Sequence, residues 1–153
     1  MDGWTEVERA AWGGFLRAFA TLDQAIDADL REHDGLRHSE FEVLLRLRMT
    51  PEQRLRIQEL AQVSLLTRSG TSRLVDRLDR VGLLSREPDP RDGRVQYAVL
   101  TDAGRETFDR IRDRHITFVR ERFHSRLSDE EIAVLAQVWA KLNGPNPARR
   151  SGT

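Results

Sequence analysis

Within one stretch of ten residues, Arg68, Ser69, Ser72, Arg73 and Arg77 carry side chains suited to reading polar edges. A guanidinium donates in a planar fork that matches phosphate oxygens or the paired acceptors of a guanine edge. A serine hydroxyl can donate or accept at either. Between these residues Thr71, Leu74, Val75 and Leu78 recur at three- and four-residue steps, with Val81 completing the stripe. The spacing predicts a helix over 68–81 with an apolar inner face and an outer face of Arg and Ser. Thr67 stands where an N-cap belongs and Gly82 where such a helix stops. The same residues also fit a solvated helix in which Arg73 and Arg77 merely pair with Asp76 and Asp79.

A second constellation, Arg91, Asp92 and Arg94, lies in the charged Pro/Gly loop 87–94. Leu83–Arg86 before it and Val95–Leu100 after it read as strands, and the loop is too long for a two-residue hairpin turn. A short helix over 58–65 precedes the Arg/Ser helix, which gives helix-turn-helix spacing. A hairpin directly after a helix-turn-helix is a wing. Arg94, with Arg91, then stands where a tip would enter a minor groove, whose narrow A/T-rich form concentrates negative potential. The plainer reading is a surface turn stiffened by two prolines and a salt bridge.

These pieces need a frame. Trp12, Phe15, Phe19, Leu22, Ile26 and Leu30 form one stripe and predict a long helix over about 5–32, locally weakened at Gly13-Gly14. His33-Asp34-Gly35 breaks it. A second helix begins near His38 and runs to about Arg48, with Glu40 complementing the dipole at its start. Residues 54–57 alternate as a very short strand would. Thr101 caps a helix over 102–126, with Phe108, Ile111, Phe118, Val119 and Phe123 as its larger apolar residues. Ser128 and Glu131 form a capping box that opens a last helix, with Ile132, Leu135, Val138, Trp139 and Leu142 on its buried side. Asn143-Gly144-Pro145 ends it. One domain over 1–145 and a disordered tail over 146–153 are expected, with no internal repeat.

The 153 residues contain 25 basic and 25 acidic side chains, but the zero sum hides a gradient. Net charge is −5 over residues 1–36, +3 over 37–101 and +2 over 102–153. Of the basic residues only Lys141 is not arginine. Cysteine is absent, which removes disulfides, thiolate metal sites and thiol redox sensing. No apolar run approaches the ~20 residues of a membrane helix, and the first residues lack the charge and apolar pattern of a leader. A soluble, cytoplasmic protein is expected. His33 and His38 lack the i, i+4 spacing of helical metal ligands, and no Gly-rich phosphate loop, Gly-x-Ser-x-Gly or His-Glu-x-x-His is present. No cofactor, metal or catalysis is expected.

In order and in residues the chain resembles the MarR (multiple antibiotic resistance regulator) family of winged-helix regulators. The likeness rests on residues 69–78 with Val81-Gly82-Leu83, on residues 89–94 with Tyr97 and residues 100–105, and on Phe41-Glu42-Val43-Leu44. It spans roughly residues 5–143. One departure stands before the second helix, where Arg37 follows Leu36 in place of the family's frequent Thr cap. An arginine side chain cannot accept an N–H, so Ser39 is expected to cap a helix that starts later.

The resemblance implies a mainly α, α+β fold: a winged helix-turn-helix over about 38–101 between dimerisation helices over about 5–32 and 102–143. It implies that Asp92 and Arg94 are the D-x-R pair, Asp92 shaping the tip by pairing with a neighbouring Arg. It implies a homodimeric, sequence-specific repressor on double-stranded DNA, with half-sites ~34 Å apart or a multiple of it. It also implies release by a small aromatic or anionic effector. Candidate pocket residues are Trp12, Phe15, Phe41 and Arg46, with His38 and His115; each also fits plain core or surface. The alternative is a winged-helix protein-interaction module whose Arg face meets an acidic partner, without specific DNA binding.

Overall fold

The Thr5 side chain accepts the Glu8 N–H at 3.2 Å while Glu8 Oε2 accepts the Thr5 N–H at 2.6 Å. This reciprocal cap opens helix α1 (Glu6–Asp34), which runs unbroken through Gly13-Gly14 and ends at Gly35, where φ is +67°. The computed structural model describes residues 3–63 and 67–143, without the side chains of Val63 and Arg68. The expected tail, the Gly144-Pro145 stop and residues 64–65 of the helix expected over 58–65 lie outside the described residues.

Helix α2 (His38–Met49), strand β1 (Arg54–Arg56), helix α3 (Ile57–Val63) and helix α4 (Arg68–Arg80) follow. Then come strands β2 (Leu84–Pro88) and β3 (Gln96–Leu100), helix α5 (Asp102–Arg122), a single 3-10 turn (His124–Arg126) and helix α6 (Asp129–Asn143). The sheet is antiparallel in the order β1-β3-β2. Its inner face, Leu84, Ala98 and Leu100, closes over Leu30, Phe41, Leu44, Leu47, Leu60, Val75, Leu78, Phe108 and Ile111. No helix among the described residues is long and apolar enough to cross a membrane. This is the mainly α winged-helix architecture expected.

Several boundaries move, each for a physical reason. Ser39 does not cap α2. The helix starts at His38 because Asp27 Oδ1 on α1 accepts the His38 N–H at 2.9 Å and Glu40 Oε2 accepts the Arg37 N–H at 2.8 Å. Two first-turn donors are thereby satisfied without a polar cap residue. Leu83 is not in the hairpin ladder because its N–H closes the end of α4 on the Leu78 carbonyl. Val95 is likewise spent on the Asp92 carbonyl, while Glu87 and Pro88 extend β2 opposite Tyr97 and Gln96. Helix α5 stops at Arg122, not Arg126, where the chain tightens into the 3-10 turn and Ser125 Oγ donates to the Glu121 carbonyl.

The apolar stripes are only partly covered. On α1, Ile26 and Leu30 are buried, yet Trp12, Phe15 and Phe19 are 52%, 40% and 46% exposed. On α6 no residue is buried, against expectation, and Leu142 is 72% exposed. Val81 was expected to complete the α4 stripe, but it lies past the helix end and is also exposed. Phe15 packs on Phe19 and on Trp139 with ring centroids 6.4 and 5.3 Å apart, so the two terminal helices share one aromatic surface that this chain alone leaves open.

Candidate nucleic-acid interface

Helix α4 begins where Thr67 Oγ1 accepts the Gly70 N–H at 3.1 Å. Thr71 Oγ1 donates back to the Thr67 carbonyl, and Thr71, Leu74, Val75 and Leu78 all face inward. The opposite face therefore projects Ser69, Ser72 and Arg73 away from the core. The side chain of Arg68 lies outside those described, although its backbone is the first residue of the helix.

The structure sorts the charged residues of α4 differently from the solvated-helix reading. Asp76 forms an ion pair with Arg86 on β2, which ties the helix to the wing. Arg77 Nε lies 2.7 Å from Glu40 Oε1, and the Glu40 side chain is only 2% exposed. Glu40 thus holds the start of α2 with one oxygen and α4 with the other. Arg77 is a positioning group first, whatever its exposed end does. Arg73 is exposed and has no ion-pair partner among the described residues. Sequence reasoning gave Glu40 a dipole role only and missed this bridge.

The wing tip is organised by Asp89, which the sequence reading did not single out. Its Oδ1 accepts the N–H groups of Arg91 at 2.8 Å and Asp92 at 3.3 Å, and its Oδ2 accepts the Tyr97 hydroxyl at 3.2 Å. The Arg91 N–H, more than any other contact, holds the Asp89 carboxyl below the usual aspartate range. Asp92 does shape the tip, but through backbone rather than an Arg side chain. Its Oδ1 accepts the Arg94 N–H at 3.0 Å, and its carbonyl accepts the Val95 N–H. The guanidinium groups of Arg91 and Arg94 are exposed, with no ion-pair partner among the described residues. An Asp at the start of a Pro/Gly turn, able to accept the N–H groups two and three residues on, is an Asx-turn signal, and it could have flagged Asp89.

The expected pocket residues fall into two groups. Trp12 and Phe15 belong to the open aromatic surface of α1 and α6. Phe41 is buried, stacked on Phe108 at 5.4 Å between centroids and 4.6 Å from the His115 ring. His38 lies 6.3 Å from His115, and its Nδ1 is 2.7 Å from Asp23 Oδ1. Glu42 on α2 reaches both His38 and Arg46, at 3.8 and 3.6 Å. This second group joins α1, α2 and α5.

Burial first, and then the neighbouring His38, lowers the pKa of His115. The unfolded chain therefore takes up this proton first as pH falls. The stability His115 contributes is complete above the ordinary histidine value and is lost as pH drops below it toward the lowered folded value. His115→Phe is expected to flatten the fall of stability between about pH 7 and 5. An unchanged profile in denaturant titrations at those two pH values would contradict this.

Thr101 joins the interface to the long helix behind it. Its Oγ1 donates to the Gly82 carbonyl at 2.7 Å and accepts the Gly104 N–H at 3.0 Å, which fixes the turn after α4 against the start of α5. The end of α4, the wing root and α5 thus meet at one small contact.

A MarR family sequence model matches residues 34–95, the stretch from the end of α1 to the wing. The HTH-type transcriptional regulator YkoM of Bacillus subtilis (strain 168) is 37% identical over 128 residues, covering 82% of this chain and 81% of its own. Sco3205, a MarR family transcriptional regulator from Streptomyces coelicolor crystallised in complex with DNA, is 32% identical with a TM-score of 0.87, covering 97% of this chain and 95% of its own. AbsC, a MarR family regulator from the same organism, is 27% identical with a TM-score of 0.85, covering 94% and 96%. With these likenesses on top of a capped Arg/Ser helix and a wing tip with two exposed arginines, the chain belongs to the MarR family of DNA-binding transcriptional regulators, whose members are not enzymes.

Proposed function

We propose that this regulator is a homodimeric repressor that reads a near-palindromic operator and is released from it by a small molecule. The observation that carries the reading is the sorting of charges on α4. Asp76 and Arg77 are bound within the fold, whereas Arg73 stands exposed beside Ser69 and Ser72 at the capped end. Those three residues, with Arg68, make the base contacts, and Arg91 and Arg94 make minor-groove and phosphate contacts. Asp92 holds the tip they stand on. The relative crystallised with DNA supports this use of the surface.

The open face of Trp12, Phe15 and Phe19 with Trp139 seats the second copy. A monomer seldom leaves so many large aromatic residues together on its surface. The long helices then set the distance between the two recognition helices. An aromatic or anionic effector at the junction of His38, Phe41, Arg46 and His115 would act between α1, α2 and α5, where that distance is set. It can shift the spacing only by its difference in affinity for the two states.

Arg73→Ala tests the base contact. Discrimination between a selected operator and its scrambled sequence is expected to fall by about 1–3 kcal/mol, with little change in non-specific affinity. Equal losses on both duplexes would reduce Arg73 to a phosphate contact, and unchanged discrimination would remove it from base readout.

A further inference from the structure

We infer that Tyr97 is a positioning residue for DNA binding: its hydroxyl joins the edge strand β1 to Asp89 and so presets the wing tip that carries Arg91 and Arg94. The inference rests on the wing contacts proposed above. Tyr97 lies on β3, directly opposite Arg56 on β1 and Glu87 on β2. Its hydroxyl accepts from Arg56 Nε and donates to Asp89 Oδ2, both at 3.2 Å. The guanidinium of Arg54 lies 4.0 Å from the ring centroid, which fixes the ring plane by cation–π attraction.

The last rung of the β2–β3 ladder is Pro88 opposite Gln96. Beyond it the tip is closed by short-range bonds: Asp89 N–H to the Val95 carbonyl, Val95 N–H to the Asp92 carbonyl, and Gln96 Nε2 to the Gly93 carbonyl. These bonds join the tip only to itself and to the two hairpin strands. Asp89 holds the two N–H groups that start the turn with one oxygen and Tyr97 with the other. The orientation of the turn is thereby referred to the third strand. Only a hydroxyl that donates and accepts at once can make that link, and phenylalanine cannot.

The network lies on the outer face of the sheet, where partly exposed polar contacts contribute little to folding. Its consequence falls on the tip. A tip held in its bound orientation before it meets DNA does not lose that freedom on binding.

The test is a double-mutant cycle on a fixed A/T-rich duplex of about 30 base pairs at low salt, where wing contacts to groove and backbone register without a known operator. Tyr97→Phe is expected to weaken binding about 3- to 10-fold, with a melting temperature within about 2 °C of the parent. In a chain already carrying Arg91→Ala and Arg94→Ala, which binds more weakly and with a flatter salt dependence, the same change should have no further effect. An equal loss in both backgrounds would mean that the hydroxyl acts on DNA by itself, and no loss in the parent would mean that it acts on nothing; either overturns the assignment. If the two alanines alone leave affinity and salt slope unchanged, the wing reading fails and this inference falls with it.

Discussion

Gly104→Ala destabilises the protein by roughly 3 kcal/mol or more. A Cβ at this position would overlap the Leu83 carbonyl oxygen outright and lie 2.7 Å from Leu100 Cδ1. Both neighbours are fixed. The Leu83 carbonyl also accepts the Thr101 N–H, and Leu100 is a core residue. Relief requires α5 to move off the wing root, and the wing root is where the turn after α4 is tied. The expected reading in thermal unfolding is a fall of about 6–12 °C, accompanied by a loss of DNA affinity in the fraction that stays folded. Gly14→Ala is the matched control, because nothing lies within 4 Å of a Cβ there. A Gly104→Ala protein as stable as the parent would show that α5 and the winged helix are not in rigid contact, and the coupling between long helices and recognition helices would lose its mechanical basis.

Arg77→Ala is expected to cost about 1–3 kcal/mol of stability, the range for leaving one buried polar partner unmatched. The cost stays below the 3–5 kcal/mol typical of a fully buried pair, because Arg77 is itself 46% exposed while Glu40 is not. Removal of the guanidinium leaves the Glu40 carboxylate enclosed, with the Arg37 N–H as its one other partner among the described residues. Replacing both partners, Glu40→Leu with Arg77→Met, should return most of the stability. It should not return full DNA affinity, because the pair also fixes how α4 sits on α2. Denaturant titration reads the first effect and duplex binding the second. A single substitution that leaves stability within about 0.5 kcal/mol would mean that solvent already satisfies Glu40.

The order of elements was legible because each carries a local signal. Thr67 and Thr101 cap as their types require, Ser128 and Glu131 form the expected box, and the period-three-and-four stripe of α4 faces inward at Thr71, Leu74, Val75 and Leu78. What was not legible depends on residues far apart in the chain. The Glu40–Arg77 pair spans 37 positions, and the Arg56–Tyr97 contact 41. No periodicity reports such pairs. The start of α2 is an intermediate case. Glu40 at the third helical position is half of a capping box, a signal present in the sequence, but the Asp27 acceptor comes from the preceding helix and is not. The aromatic stripe of α1 was visible as a stripe, yet nothing in its spacing divides Ile26 and Leu30, which this chain buries, from Trp12, Phe15 and Phe19, which it leaves open. That division follows from where α2 and α5 cross, and it is the feature that points to a second copy.

Selection of bound duplexes from a random pool at near-physiological salt decides whether the protein reads sequence as a dimer. A sequence-reading dimer enriches a near-palindrome whose half-sites lie about one helical turn, or a small multiple of it, apart. Arg73→Ala should relax the enriched bases within the half-sites, while Arg91→Ala with Arg94→Ala should lower overall recovery, most for duplexes that place A/T-rich sequence under the wings. A pool that shows only salt-sensitive bulk binding, with no enriched sequence, would contradict a sequence-reading dimer and leave the Arg face to another kind of partner.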